Sequence, residues 1–216
     1  LQEPLIAVLA GTHLTDAQAA SLIAHGADRV ILVDDPRLGV YMTEPFTKAL
    51  TAVISAEKPG IVFFGATTIG RDLAPRVSAR LKTGLTADCT ALAIDDASRN
   101  LLMTRPAFGG NIMATILTRN TRPQMSTVRP RVMSALPRQR GRGIEVIRES
   151  FDKSEDDIPT KVIEFRPDKG SDKPNLQFAE IIVSGGRGLG GPSGFELIRE
   201  FADAVIGVFG LSRRTP

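Results

Sequence analysis

Three short apolar runs, at residues 5–10, 30–33 and 61–64, alternate with segments of helical periodicity, and that alternation limits the architectures open to the chain. None of the runs is broken by a polar residue, which is the pattern of strands covered on both faces of a sheet. Between the first and second runs, Thr15-Asp16-Ala17-Gln18 fits a capping box that opens a helix, and Gly26 stands where that helix should end. A second helix is expected from Thr43, with Pro45 in its first turn and Phe46, Ala49, Leu50, Val53 and Ile54 on one face. Pro59-Gly60 breaks the chain before the third run. A further helix is expected over residues 72–81, where Pro75 is tolerable only near the first turn, among N–H groups that lack helical partners anyway. Strands connected through helices in this way pair in parallel with right-handed crossovers. The expected fold class is α/β: a mostly parallel sheet flanked by helices.

After residue 84 the character changes. "LTADCTALAIDD" and "LLMTRPAFGGNIMATILT" read as strands separated by a turn at residues 95–98, and "KVIEFRPD" reads as another strand. "DKSEDDIPT" and "RPDKGSDKPN" read as loops. The second is expected to link an N-terminal domain over residues 1–172 to the start of another domain over residues 176–216. That second domain is expected to begin with a strand in "FAEIIVSGG". A helix follows, with Phe195, Ile198, Phe201, Ala202, Val205 and Phe209 on its apolar face.

Composition narrows the chemistry. No apolar run approaches the roughly 18 residues of a membrane span. The single cysteine, Cys89, excludes an internal disulfide and fits a reducing compartment, so cytoplasm or an organelle matrix is the expected location. The chain is mildly basic, with net charge +3 and pI near 9.3. Six arginines fall between Arg129 and Arg148, yet no aromatic side chain is interleaved with them for bases to stack on. A solvated loop or protein-contact surface is expected there, not a nucleic-acid groove. His13 and His25 are the only histidines, too few for a three-histidine metal site or a relay, and His25 reads as a last-turn residue. Cys89 lies between Asp88 and Thr90, neither of which activates a thiol, so it reads as a small buried residue. The pairs Asp34-Asp35, Asp95-Asp96 and Asp156-Asp157 read as solvated turn charges. No catalytic residue and no metal site is expected; the residues speak for binding, not hydrolysis.

Two segments are candidates for that binding. In "FFGATTIGRDLAPR", small residues lead from a strand into a helix, where free backbone N–H groups suit an anion and Thr67, Thr68 and Arg71 offer polar contacts. The competing reading is a strand–helix turn that needs small residues only for packing. "SGGRGLGGPSGF" holds a literal G-x-G-x-x-G at Gly186, Gly188 and Gly191. A dinucleotide fingerprint also needs an acid about 20 residues further on, to bind the ribose. That window reads "FGLSRRTP" and has none. A nicotinamide oxidoreductase is therefore disfavoured against a glycine-rich turn at a domain entrance.

Five longer segments carry a resemblance: "GATTIGRDLAPRVSARLKTGLTADCTAL", "LLMTRPAFGGNIMATI", "RPQMSTVRP", "IIVSGGRGLGG" and "GLSRR". In that order they closely resemble the α subunits of electron transfer flavoproteins, most of all bacterial and archaeal forms, and the resemblance extends over about residues 13–213. The resemblance implies an N-terminal α/β domain followed by a domain that holds FAD. It implies an electron carrier, not an enzyme, paired with a β subunit that carries AMP or, in bifurcating members, a second FAD. The implied electron donors are acyl-CoA or other flavin dehydrogenases, with no nucleic-acid partner and no direct membrane insertion; the implied location is cytoplasmic, or the mitochondrial matrix in a eukaryote. "GLSRR" matches the family's G-x-S-R motif, which implies FAD contacts at Arg213 and neighbouring Ser212, in the form of charge-assisted bonds to phosphate. Gly186, Gly188 and Gly191 are further candidates. The site at Thr67, Thr68 and Arg71 is generally empty in such subunits. The alternative from the residues alone is an adenine-nucleotide-binding α/β module without a redox role. The family pattern starts with another strand and helix and continues past Arg213 into glycine-rich loops like "VGQTG" and "ISGA". The sequence is therefore expected to be a fragment, or the ordered part, of a longer protein.

Overall fold

The structure, a computed structural model, describes residues 3–139, 141–143, 145–151, 158–164, 166, 179 and 181–209. The chain divides into two units, Leu1–Val162 and Ile163–Pro216.

In the first unit the alternation at the start of the sequence becomes β1 (Ile6–Gly11), α1 (Asp16–Ala24), β2 (Arg29–Asp34), α2 (Thr43–Glu57), β3 (Ile61–Gly65) and α3 (Thr68–Leu81). The capping box forms as the sequence suggests: Thr15 N–H donates to Gln18 Oε1 at 2.8 Å. Successive residues of β2 point to opposite sides, and each side has its own helix. Val30 and Leu32 pack with Ala19 and Ile23 of α1. Ile31 and Val33 pack with Ala49 and Val53 of α2. A strand buried this way carries no polar alternation, which is why it reads as one apolar run.

The remaining strands are β4 (Leu85–Cys89), β5 (Ala91–Ile94), β6 (Leu101–Ala107), β7 (Ile112–Ile116), β8 (Gln124–Val128) and β9 (Val146–Glu149). They complete three sheets of three strands. β1-β2-β9 and β3-β8-β4 are parallel, and β5-β6-β7 is antiparallel. One face of β3-β8-β4 is covered by helices, where Met125, Leu73, Val77 and Ile54 form a buried cluster. A separate cluster, Cys89, Leu101 and Met103 with Ile61, Leu92 and Ile94, joins that sheet to the antiparallel one.

Several expectations are corrected. α3 begins at Thr68, not at residue 72, because the Thr67 side chain accepts from Gly70 N–H at 3.1 Å and caps the helix there. Pro75 therefore lies inside the helix, beyond the first turn, and the carbonyl four residues before it loses its helical donor. "LTADCTALAIDD" is two strands in different sheets, divided at Thr90; Asp88, at φ 62°, lies at an irregularity inside the first, after which Cys89 pairs again with Val128. β8 and β9 were not expected as strands; β9 lies inside the arginine-rich stretch read as a loop. It forms because Val146–Glu149 can pair with β2, in register Val30↔Val146 to Val33↔Glu149. The reverse error occurs in "KVIEFRPD": residues 161–164 and 166 form no strand, and Ile163 is 98% exposed. An apolar run becomes a strand only where a neighbour can complete its ladder. Asp156-Asp157 and most of the two polar stretches lie outside the described residues.

In the second unit, described by itself, residues 181–186 form no strand, contrary to expectation. A one-turn 3-10 helix at Arg187–Leu189 follows, then α4 (Gly194–Phe209). Of the expected apolar face, Ala202 is buried, Ile198 and Val205 are half-buried, and Phe195 and Phe201 are exposed.

Candidate functional site

The first candidate segment lies at the carboxyl ends of β3, β8 and β4, where open parallel sheets place their ligands. There the chain's own groups take the available contacts. Thr67 is committed to Gly70 N–H, and Arg71 Nε donates to the Ala66 carbonyl at 2.9 Å. Gly70 sits so close to β3 that an added Cβ would be 1.8 Å from the Gly65 carbonyl oxygen. This is the packing reason for small residues. Asp88 occupies the centre: its carboxylate accepts from Arg71 Nη2 at 3.2 Å and from Arg129 Nη2 at 2.6 Å and Nε at 3.2 Å. Its backbone N–H donates to Thr127 Oγ1 at 2.7 Å. The left-handed backbone that aims this carboxylate is one that aspartate adopts more readily than most residues. An anion entering here would meet a carboxylate already paired with both guanidinium groups. The sequence reading passed over Asp88, treating it only as a neighbour of Cys89; the one signal was an Asp where the strand pattern changes.

The bonded Arg129 guanidinium holds the Asp88 carboxyl below the usual carboxylate range, against the opposing cost of burial, with attraction from Arg71 and Arg105 adding to it. A depressed folded-state pKa contributes stability that is present above the unfolded value, near 3.8, and is lost as pH falls through the folded one. Asp88→Asn keeps the backbone preference and removes the charge. It is expected to cost about 1 kcal/mol at pH 7, a modest figure because both arginines are substantially exposed. The difference should vanish below the carboxylate range. Urea unfolding of both proteins at pH 7 and in acid checks this; an equal gap at both pH values would refute it.

The other titratable groups behave as structural ones. Cys89 is fully buried, its thiol faces the Thr86 carbonyl at 3.5 Å, and burial pushes its pKa up. His25 closes α1 with Nδ1 2.8 Å from the Ser21 carbonyl oxygen. Asp35 grips Arg37 with both carboxylate oxygens, and Asp95 accepts from Ser98 in a turn. Among the described residues, no group of three or more His, Cys, Asp or Glu could hold a metal ion.

The second candidate is the glycine turn of the second unit. Of its glycines, those that the turn itself requires are not the ones in the G-x-G-x-x-G register. Gly190 has φ 76°, and a Cβ on Gly194 would lie 2.4 Å from the Leu189 carbonyl oxygen. A Cβ on Gly186, Gly188 or Gly191 would meet nothing within 4 Å. Those three therefore present bare backbone outward, around an exposed arginine, Arg187, which pairs with no carboxylate among the described residues. Bare backbone beside a free guanidinium is suited to a phosphate group. The fit to a dinucleotide cofactor is a fit to its phosphates only. Arg213 and Ser212 lie outside the described residues. Arg187 was missed in sequence because attention fell on the glycines flanking it.

The family model described as "Electron transfer flavoprotein domain" matches residues 1–154. The chain belongs to the electron transfer flavoprotein family. A second model, "Electron transfer flavoprotein FAD-binding domain", matches residues 175–215 and so contains the glycine turn. The chain is 51% identical to "Electron transfer flavoprotein subunit alpha" of Thermoanaerobacterium thermosaccharolyticum over 97% of its length and 62% of that protein's. It is 46% identical to "Protein FixB" of Azorhizobium caulinodans, over 99% of this chain and 58% of the other. With "Electron transfer flavoprotein subunit alpha" of Clostridium acetobutylicum the identity is 43%, over 97% and 62%. The chain thus spans about three fifths of the length of the curated relatives it matches. The segment that the FAD-binding model matches contains the glycine turn and not the strand ends around Asp88.

Proposed function

We propose that this chain is part of an electron carrier, the α subunit of a heterodimeric electron transfer flavoprotein that takes electrons from dehydrogenases through bound FAD and passes them on. The observation that carries the reading is the glycine turn, with its outward backbone and an Arg187 that pairs with no carboxylate among the described residues, inside the segment matched by the FAD-binding family model. In such a carrier FAD supplies the electron uptake and release, while the protein supplies binding, orientation and electrostatics. Residues 176–216 form the start of the FAD domain and residues 1–172 the supporting α/β domain. Arg213 and Ser212, with Gly186, Gly188 and Gly191, belong to the cofactor site. Arg187 is added to them as the cation nearest the bare backbone. The β subunit is the partner that carries AMP or a second FAD, and acyl-CoA or other flavin dehydrogenases are the donors. No helix among the described residues is long and apolar enough to cross a membrane. That feature and the bacterial relatives support a cytoplasmic location. The Asp88 arrangement speaks against the alternative, an adenine-nucleotide module working at Thr67, Thr68 and Arg71.

Two arginines and one turn do not enclose a dinucleotide, so the 216-residue chain alone is expected to hold FAD weakly. A version extended to the length of its relatives and joined to a β subunit is expected to carry stoichiometric flavin. Its visible absorbance should bleach when a donor dehydrogenase and its substrate are added. Arg187→Ala and Arg213→Ala should each weaken FAD binding about tenfold, the worth of one charge-assisted contact. A carrier that stays flavin-free, or whose flavin no dehydrogenase reduces, would overturn the reading. Unchanged affinity in both variants would remove these residues from the site.

A further inference from the structure

The glycine turn is closed by one residue that is not a glycine. Of residues 184–190, Leu189 alone is half-buried and the others are exposed. A Cβ on Gly185, at the entrance of the turn, would overlap Leu189 Cδ1 and lie 3.1 Å from its Cγ, with Ile198 Cγ1 of α4 at 3.3 Å. A Cβ on Gly194, at the exit, would lie 2.8 Å from Leu189 Cβ and 3.1 Å from its carbonyl carbon. Entrance and exit therefore close on the same leucine. Its side chain fills the space that Gly185 leaves free, and its backbone passes where only a glycine at 194 admits so close an approach.

The leucine fixes the direction of its neighbours. Leu189 N–H donates to the Gly186 carbonyl at 3.0 Å and Gly190 N–H to the Arg187 carbonyl at 3.2 Å, which makes Arg187–Leu189 one turn of 3-10 helix. With about three residues per turn, Arg187, Gly188 and Leu189 point in three different directions. Seating Leu189 on Gly185 thus sets which way Arg187 and the bare Gly188 face. Arg187 supplies no anchor of its own, being exposed and pairing with no carboxylate among the described residues. A turn with glycine at 186, 188, 190 and 191 has much conformational freedom to lose, and Leu189 is the packed side chain that limits it.

We propose that Leu189 is the positioning residue of the cofactor turn: packed between Gly185 and Gly194, it holds Arg187 and the backbone of Gly186 and Gly188 in the arrangement that receives a phosphate group of FAD. The spacing that matters is then Gly185, Leu189 and Gly194, not the G-x-G-x-x-G of Gly186, Gly188 and Gly191. The inference rests on the reading of this turn as part of the FAD site. Leu189 acts through Arg187 and the backbone and needs no contact with the cofactor. Without it the binding groups are still present, but the cost of ordering them is added to binding, and affinity falls.

The test is a double-mutant cycle on the chain extended to the length of its relatives and joined to a β subunit, with FAD affinity measured by calorimetry. Leu189→Ala and Arg187→Ala are each expected to weaken binding about tenfold. The double variant should lose little more than either alone, because a misplaced arginine has little left to lose. Leu189→Met, which fills a similar volume, should bind as the parent does. A double variant weakened about a hundredfold, the product of two independent losses, would reduce Leu189 to general support of the unit and overturn the proposal. Parent-like affinity in Leu189→Ala, with Arg187→Ala still weakened, would also overturn it while leaving the FAD reading standing. Parent-like affinity in Arg187→Ala would remove the turn from the site and take the proposal with it. If Leu189→Ala does not assemble, Leu189→Val takes its place in the cycle.

Discussion

Gly70→Ala is expected to destabilise the first unit by about 3 kcal/mol or more. Two terms compete. Alanine is the better helix former, which favours the variant by up to about 1 kcal/mol. Against this, the new methyl group would lie 1.8 Å from the Gly65 carbonyl oxygen and 3.0 Å from its carbon, and both atoms are backbone. No rotamer relieves the contact; α3 must move away from β3. The shift would disturb the Thr67 cap and the Arg71 contacts with Ala66 and Asp88 together, since all three depend on the first turn of α3. Denaturant unfolding, followed by circular dichroism, measures the change. A loss of less than about 1 kcal/mol would mean that the close approach is relieved at little cost.

The second large effect is expected from Gln124→Met. Gln124 is 1% exposed at the start of β8, yet it spends its polar atoms on another sheet and its connecting loop. Its Oε1 accepts from Leu101 N–H at 2.9 Å, and its Nε2 donates to the Thr118 carbonyl at 2.6 Å and to Asn100 Oδ1 at 3.0 Å. Methionine fills much the same volume but satisfies none of these. Asn100 keeps a donor from Arg122 Nη2 at 2.9 Å, whereas the Leu101 N–H loses its acceptor. Leaving such buried groups unsatisfied costs about 2–3 kcal/mol. The effect should be local as well as global: the Leu101 amide is expected to exchange with solvent markedly faster in the variant. Unchanged exchange there would show that the side chain is not what ties the two sheets together.

These two residues also mark how far the sequence could be read. The first three strands and their helices were legible because each strand is an uninterrupted apolar run and each helix carries an apolar face or a capping signal. β8 was not, because it reads "QMSTV": Gln124, Ser126 and Thr127 are polar and fully buried, with Gln124 and Thr127 bonded to other parts of the fold. Burial of polar residues depends on partners distant in sequence, and a local pattern does not reveal them. Residues 161–164 show the converse, since their apolar character promises a strand that no neighbour completes. At the site, the glycine turn was visible as a motif, but which of its glycines face outward was not. That distinction depends on where the Leu189 carbonyl points. Family membership was legible, because long segments in fixed order carry far more information than three glycines.

The pairing of β2 with β9 has a consequence for synthesis on the ribosome. Val30 and its partner Val146 are more than a hundred residues apart, and the two-helix, one-sheet layer that begins with β1 is finished by the last of the described strands. As the chain emerges, β1, α1, β2 and α2 assemble early from contacts close in sequence. The free side of β2 then waits until Glu149 has left the exit tunnel. Non-local closure of this kind raises the contact order and slows folding. It also leaves an apolar strand edge uncovered for the whole interval in which the second sheet is being made, a period when nascent chains are most prone to pair with one another.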